Sequence, residues 1–544
     1  MAKPTRFTTA LIDENIRNGV WELTTFAEIW DRNAREFPDK EAVVDSSKRV
    51  TWSQAKHWID RLALSFLEMG MGKDEVVVIQ LPNTVELCLA RVACEKAGLV
   101  FLPILRSYRH QEVKQFLSMT RAAAIIIPWR FRGFDYFKMI QDIRPHLPDL
   151  RHVLVVGDEV PEGALSVERI VRSEPVNRDG ASQLERTRCP ATEFSMILPT
   201  SGTTGFPRLG ENPIMVIMVR EKACVKNLKL TADDVVGIFS PAAGGSNGRG
   251  YYAAPLVAAK IVMLERWEPD KALQLIQKER VTVVPLVPTQ LIQILNYPGL
   301  DTYDLSSLRV IVCMGAALPF HIVEKAEKKL VNCRIIQQYS SVGCSIGCTV
   351  LLNDDRQTRL FTVGKPYGGA RLKLVDENGE EVPKGEVGEI MLKGPGGDSG
   401  YYKDPEATRQ AWTGDGWFRM GDLGKLDQRG NLIIVGRKKD VIIRGGQNIF
   451  PTEIENLLLT HPAVSEAAVI GVPDSIMGER ACACFVLKPG TGFTREEMIS
   501  FLSGKEIASY KIPEQIKILE ALPKVADGQK VDKKALGEAI IGSE

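Results

Sequence analysis

The chain has 544 residues, 44% of them apolar and 25% charged, with a net charge of +1. That length provides for more than one domain, and the composition excludes a disordered or fibrous class. The near-zero net charge leaves no global field for nucleic acid or an acidic membrane surface. Ten cysteines are scattered through apolar runs without a CxxC pair, which predicts reduced core thiols, a cytoplasmic location and no structural zinc site. No apolar stretch follows the first six residues that could act as a signal peptide. The longest apolar runs, residues 97–105 and 122–127, are too short to span a bilayer.

A polar N-terminal segment precedes a β-branched strand at 76–81, an apolar helix at 86–97, a strand at 99–105, a helix at 111–119, and strands at 123–127 and 152–156. This alternation predicts a parallel sheet with helices on its faces. It resumes with strands at 235–239, 261–264, 281–285, 308–314 and 334–337, and helices at 269–280 and 319–330. From about Arg371 short runs at 371–375, 388–392 and 431–435 alternate with Gly-containing turns, which predicts a β-rich subdomain. After the charged joint Gly436-Arg-Lys-Lys-Asp440 come helix 452–460, strands 467–472 and 483–487, helix 495–502, strand 516–519 and a last helix from Asp532. The expected architecture is α/β. A large N-terminal domain, residues 1–436, carries doubly wound sheets and the β-rich subdomain, and residues 437–544 form a small α+β domain.

One loop stands out chemically. An apolar strand at 194–198 runs into Pro-Thr200-Ser201-Gly202-Thr203-Thr204-Gly205-Phe-Pro-Arg208. Gly202 and Gly205 let the backbone bring N–H groups close to an anion, the four hydroxyls are further donors, and Arg208 adds charge. The spacing is not that of a Walker A loop. A polar surface loop would have the same composition, so the loop alone decides nothing.

The order of that loop, Gly315-Ala316-Ala317-Leu318, Tyr339, Gly421-Asp422, Gly436-Arg437 and Arg444-Gly445-Gly446-Gln-Asn-Ile-Phe-Pro-Thr-Glu-Ile-Glu455 resembles the adenylate-forming superfamily of acyl-CoA synthetases, adenylation domains and luciferases. The resemblance covers residues 26–539 and is nearest in layout to ligases of aryl acids. It implies that a carboxylic acid is activated with ATP and Mg²⁺ to an acyl-adenylate and passed to CoA, or to the phosphopantetheinyl arm of a separate carrier protein. A homodimer is compatible with it.

On this resemblance Thr200, Ser201, Thr203 and Thr204 bond the phosphates. Arg208 stands where the family carries Lys, a change that keeps charge but not shape. Asp422, with Arg437 beside it, takes the ribose hydroxyls, Gly315 to Ala317 lie under the adenine, and Tyr339 stacks on it. Lys439 is the hinge of a mobile C-terminal domain, and Gly445 and Gly446 line the CoA channel. The catalytic lysine is Lys530 counting back from Val531 and Gln529 counting forward from Pro523. Gly244, Gly245 and Asn247 fall in the acid pocket, where two glycines leave room for a bulky aryl or alicyclic acid. Tyr339-Ser-Ser-Val342-Gly343 replaces the family's Tyr-Gly-x-Thr-Glu, so its usual Mg²⁺ ligand is missing and no metal ligand is assigned. That departure, with the altered stretch after Arg208, keeps open a nucleotide-binding protein that no longer adenylates. None of the six histidines lies in a catalytic setting.

Overall fold

The computed structural model describes residues 2–200, 207–241, 248–341, 344–525 and 530–541. Ser201, Gly202, Thr203, Thr204, Gly205, Gly244, Gly245, Asn247, Val342, Gly343, Gln529 and the side chain of Lys530 lie outside the described residues.

Valine- and isoleucine-rich strands without polar alternation call for a sheet covered on both faces, and two such sheets form the large domain. One runs Leu209–Pro213, Phe194–Pro199, Val100–Pro103, Val76–Ile79, Ala124–Pro128, His152–Val156, Leu165–Ser166, parallel except for its first edge strand. The other runs Lys365–Pro366, Cys344–Thr349, Arg334–Ser341, Val310–Cys313, Val283–Leu286, Val235–Ile238, Lys260–Met263, Glu41–Val44, Arg49–Thr51, with a parallel interior and antiparallel edges. Alternate residues of one strand serve two cores. Val77 and Ile79 meet a central helical layer, whereas Val76 and Val78 meet the outer helices His110–Thr120 and Tyr136–Ile143. The outer face of the second sheet packs on Pro269–Glu279, Pro288–Leu295 and Phe320–Lys329.

The central layer corrects the expectation of a polar N-terminal segment. Residues Phe26–Glu36 and Trp52–Glu68 are helices, each opened by a capping box, Thr25 with Glu28 and Thr51 with Gln54. Trp30 and Trp52 meet edge to face at 4.8 Å in the core. Beside them Val85–Lys96 is buried at every position, its charges included. Lys96 Nζ lies 2.6 Å from Asp31 and 2.5 Å from Asp60, and Glu86 pairs with Lys48. Removing one partner from such a buried set costs several kcal/mol, about 3–5.

A four-stranded antiparallel sheet, Arg371–Val375, Gly388–Lys393, Phe418–Leu426, Leu432–Arg437, forms the β-rich subdomain. Phe418–Leu426 is a strand the sequence reading did not anticipate. A three-residue 3₁₀ turn, Lys438–Asp440, leads to the small domain, whose sheet contains Ile442–Arg444, Gln447–Ile449, Val464–Asp474, Gly478–Leu487 and Gln515–Ile518. All ten cysteines are free and buried, as expected. Among the described residues no helix is long and apolar enough to cross a membrane.

Ser340 pairs with Gly347 where two strands approach closely, and a Cβ on Gly347 would fall 1.7 Å from the Tyr339 carbonyl oxygen. Gly347→Ala is expected to lose about 1–3 kcal/mol, read as a lower urea midpoint, because the backbone of Tyr339 must move. An unchanged midpoint would show that this contact relaxes freely.

Candidate active site

Ligands of open α/β sheets sit beyond the carboxyl ends of the strands, and here those ends open on one large cavity of about 1990 Å³. Thr200 and Arg208 follow Phe194–Pro199, Gly315 to Leu318 follow Val310–Cys313, and Tyr339 to Ser341 end Arg334–Ser341; all of these line the cavity. Asp422 and Arg437 enter from the β-rich subdomain.

The Gly-rich loop is the tip of the hairpin made by Phe194–Pro199 and Leu209–Pro213. Its base is closed by the Thr200 N–H donating to Arg208 O at 2.7 Å and the Arg208 N–H donating to Thr200 Oγ1 at 3.0 Å. The exposed Arg208 guanidinium stands 5.5 Å from the Tyr401 ring centroid. The unusual stretch after Arg208 has a structural task. Glu211 accepts from Thr5 N (2.8 Å), Thr5 Oγ1 (2.5 Å) and Ser399 Oγ (3.0 Å), which pins the hairpin to the N-terminus and to the β-rich subdomain side.

Asp422 is the best-defined polar group. It is only 6% exposed, accepts a hydrogen bond from Tyr339 Oη at 2.6 Å and pairs with Arg437 Nε at 3.1 Å. The last contact follows from register, since Asp422 and Arg437 are opposed residues of adjacent strands. Burial, then the Asp422 charge, push the Tyr339 hydroxyl well above its ordinary pKa, so it remains a proton donor. A carboxylate has about four acceptor sites, and Tyr339 and Arg437 use two of them, so two ribose hydroxyls can still be accepted. Gly315, at φ +92°, and Ala316 and Ala317 form an exposed, side-chain-poor shelf on the cavity wall.

The small domain contributes Thr452, Glu455, Asn456, Lys524, Val531 and Lys533 to the lining. Lys530 lies on the same hairpin, opposite Val525 and next to the opposed pair Lys524 and Val531. The lysines described there are engaged: Lys524 with Glu466 at 2.9 Å and Lys533 with Glu455 at 2.6 Å. The hairpin bearing Gly445 and Gly446 is not part of the described lining, and the Gly445 N–H donates to Met477 O instead. Lys439 is exposed in the joint.

Leu87, Phe101, Met196, Tyr251 and Tyr252 also line the cavity, with Arg91 standing 4.3 Å from the Tyr252 ring centroid, and the sequence did not single them out. Their signal was available, because only three residues separate Tyr251 from Asn247, in the continuation of the segment assigned to the acid pocket.

Asp422→Ala is expected to weaken ATP binding about thirtyfold, near 2 kcal/mol, by titration calorimetry. Unchanged affinity would remove Asp422 from the nucleotide site.

The AMP-binding enzyme family matches residues 30–402, and the AMP-binding enzyme C-terminal domain matches residues 453–529. The chain is 32% identical over 530 residues to a medium-chain fatty-acid–CoA ligase of Escherichia coli, covering 96% of this chain and 92% of that one. It is 31% identical over 532 residues to a 2-hydroxy-7-methoxy-5-methyl-1-naphthoate–CoA ligase of Streptomyces carzinostaticus, covering 96% and 94%. The solved anthranilate CoA ligase in complex with anthranoyl-AMP superposes with a TM-score of 0.87 at 25% identity, covering 96% of this chain and 98% of the other. The fold, the motif order and these likenesses agree: the chain belongs to the AMP-binding enzyme family and has the adenylate-forming fold.

Proposed function

We propose that the protein is an ATP-dependent carboxylic acid–CoA ligase that works through an acyl-adenylate. The observation that carries this reading is the convergence of Asp422 with Tyr339 and Arg437, the Gly315 shelf, and the Thr200–Arg208 hairpin base on one cavity. The acid's carboxylate oxygen attacks the α-phosphorus of ATP, the bond to the bridging oxygen breaks, and pyrophosphate leaves. The thiolate sulfur of CoA then attacks the acyl carbon, the acyl–oxygen bond breaks, and AMP leaves with the bonding electrons.

Arg208 and the hydroxyls of Thr200, Ser201, Thr203 and Thr204 would steady phosphate charge, Asp422 would hold the ribose, and Lys530 would bridge acid and α-phosphate. Among the described residues no three His, Cys, Asp or Glu side chains are grouped to hold a metal ion. The side chains of Val342 and Gly343 cannot ligate one either. Mg²⁺ would therefore enter with ATP, held by phosphate oxygens and water. The small domain, residues 437–544, is the mobile part of this reading, turning at Lys439 to bring Gly445 and Gly446 against the CoA arm.

The apolar side chains of Leu87, Phe101, Met196, Tyr251 and Tyr252 on the cavity wall suit a bulky aryl, alicyclic or medium-chain acid, and the likeness to a medium-chain fatty-acid ligase and a naphthoate ligase supports that range. Loading of a separate carrier protein would use the same adenylate. Val342 and Gly343 favour one further reading, a nucleotide-binding protein that does not adenylate.

Acid-dependent exchange of labelled pyrophosphate into ATP decides between these. Exchange is expected with at least one aryl, alicyclic or medium-chain acid, whereas silence across the panel with ATP still bound would select the non-adenylating protein. Lys530→Ala is expected to lower exchange at least a hundredfold while thioester formation from a supplied acyl-adenylate persists; full exchange would move the role to another group. Gly343→Glu is expected to lower the Mg²⁺ concentration needed for half-maximal exchange severalfold, and no shift would mean that the added carboxylate does not reach the ion.

A further inference from the structure

The helix Val85–Lys96 is buried along its whole length, and Arg91, unlike Lys96, is short of partners there. Arg91 is 4% exposed, and its guanidinium rests on two rings, Cζ standing 4.3 Å from the Tyr252 centroid and 5.3 Å from that of Phe26. Nη2 donates to Tyr251 O at 3.3 Å, and Nη1 stands 3.8 Å from Glu95 Oε2, an ion pair too long for a hydrogen bond. Nε is buried with no acceptor. Among the described residues, one of the five N–H donors of Arg91 is therefore hydrogen-bonded.

This guanidinium belongs to the wall of the cavity. Arg91 lines it together with Leu87, one helical turn earlier, and with Tyr251 and Tyr252. Tyr252 Oη donates to Met196 Sδ at 2.8 Å, and Met196 is paired in register with Phe101 on the adjacent strand. Met196 precedes Thr200, at the base of the Gly-rich loop, along a strand by roughly 13 Å. Arg91, against Tyr252, thus belongs to the inner end of the cavity, among the apolar side chains of Leu87, Phe101 and Met196. The Tyr251 hydroxyl on the same wall is likewise buried without a hydrogen-bond partner.

We propose that Arg91 selects acids carrying a neutral oxygen acceptor, a ketone carbonyl, at the end remote from the carboxylate that is activated. This inference rests on the reading of the chain as an acid–CoA ligase and names the substrate class of that same site. A carbonyl oxygen at the inner end takes donors that Arg91 otherwise leaves unmade, whereas an acid with a hydrocarbon end leaves them buried and unsatisfied. Glu95 already balances the Arg91 charge and accepts from the Ala27 N–H at 2.6 Å. Burial pushes the Glu95 pKa up, and Arg91 and the Ala27 N–H, the next largest effects, hold it down. With that pair in place, a second carboxylate on the acid would bring an uncompensated charge into a buried site.

The test uses the full chain and two matched series: octanoic, 7-oxooctanoic and octanedioic acids, and cyclohexylpropanoic acid with its ketone and its carboxylic acid, both substituted on the ring opposite the side chain. In acid-dependent pyrophosphate exchange the ketone is expected to exceed both companions in kcat/KM by roughly tenfold or more in at least one series. In Arg91→Met/Glu95→Gln, which leaves no buried charge unpaired, that preference is expected to fall to about twofold or less, through KM. Glu95→Gln alone is expected to transfer the preference to the dicarboxylic acid, an inversion that a purely structural ion pair would not produce. Arg91→Lys keeps the balanced charge but not the planar fork, and is expected to cut the preference by about threefold or more even where the double variant does not fold. ATP affinity by calorimetry reports folding in each variant. No preference for the ketone in either series, a parent preference for the dicarboxylic acid, or a ketone preference unchanged in Arg91→Lys and the double variant would overturn the assignment. If the parent shows no exchange with any acid, the ligase reading fails separately. Calorimetric binding of the same acids with ATP present then tests the subsite by itself: tighter binding of the ketone that weakens in Arg91→Lys supports it, and equal binding across each series, or none, overturns it.

Discussion

A single buried carboxylate ties the site together. Asp422 belongs to the β-rich subdomain, its Tyr339 partner to the nine-stranded sheet, and its Arg437 partner to the last residue before the joint. Both partners are needed on physical grounds, because an ionised carboxylate at 6% exposure is costly without compensation. Satisfying it therefore fixes three elements at once. The subdomain cannot tilt from the large sheet without taking the Tyr339 donor from Asp422, and the strand that feeds the joint is anchored at its final residue.

The same economy appears in the central helical layer. Val85–Lys96 lies between two sheets with no solvent face, so its charged residues must find partners inside. Lys96 with Asp31 and Asp60, and Lys48 with Glu86 and Glu168, supply them from helices and turns far apart in the chain. These sets join the N-terminal segment, through Asp31, Lys48 and Asp60, to the helix Val85–Lys96 and to Glu168. They explain why a segment whose composition is polar folds into the middle of the molecule.

That segment also marks what the sequence could and could not say. Strands such as Val76–Ile79 and Val310–Cys313 were legible because burial on both faces leaves unbroken apolar runs, and the hairpin loop was legible through its glycines and hydroxyls. The helices Phe26–Glu36 and Trp52–Glu68 were hidden because Asn33, Asp60 and Ser65 lie on their buried faces and blur the apolar stripe. Their capping boxes were the better signal. At the site, residue types and order pointed to Asp422, but its bond to Tyr339 spans 83 positions and no local pattern encodes it. The same holds for Arg91, whose setting depends on the rings of Phe26 and Tyr252.

The C-terminal hairpin carries one further consequence. Lys524 and Lys533 flank it and are bound to Glu466 and Glu455 of the small domain, so the hairpin is laced to that domain on both sides of its tip. By contrast, the ion pair at the joint itself, Lys438 with Glu389, holds a lysine that is 51% exposed and is worth about 0–1 kcal/mol. In the proposed turn at Lys438–Asp440 the hairpin therefore travels with the small domain as one body. On that proposal any change in how the hairpin meets the cavity is a whole-domain rotation, with the microsecond-to-millisecond clock of such motions rather than the faster one of a loop.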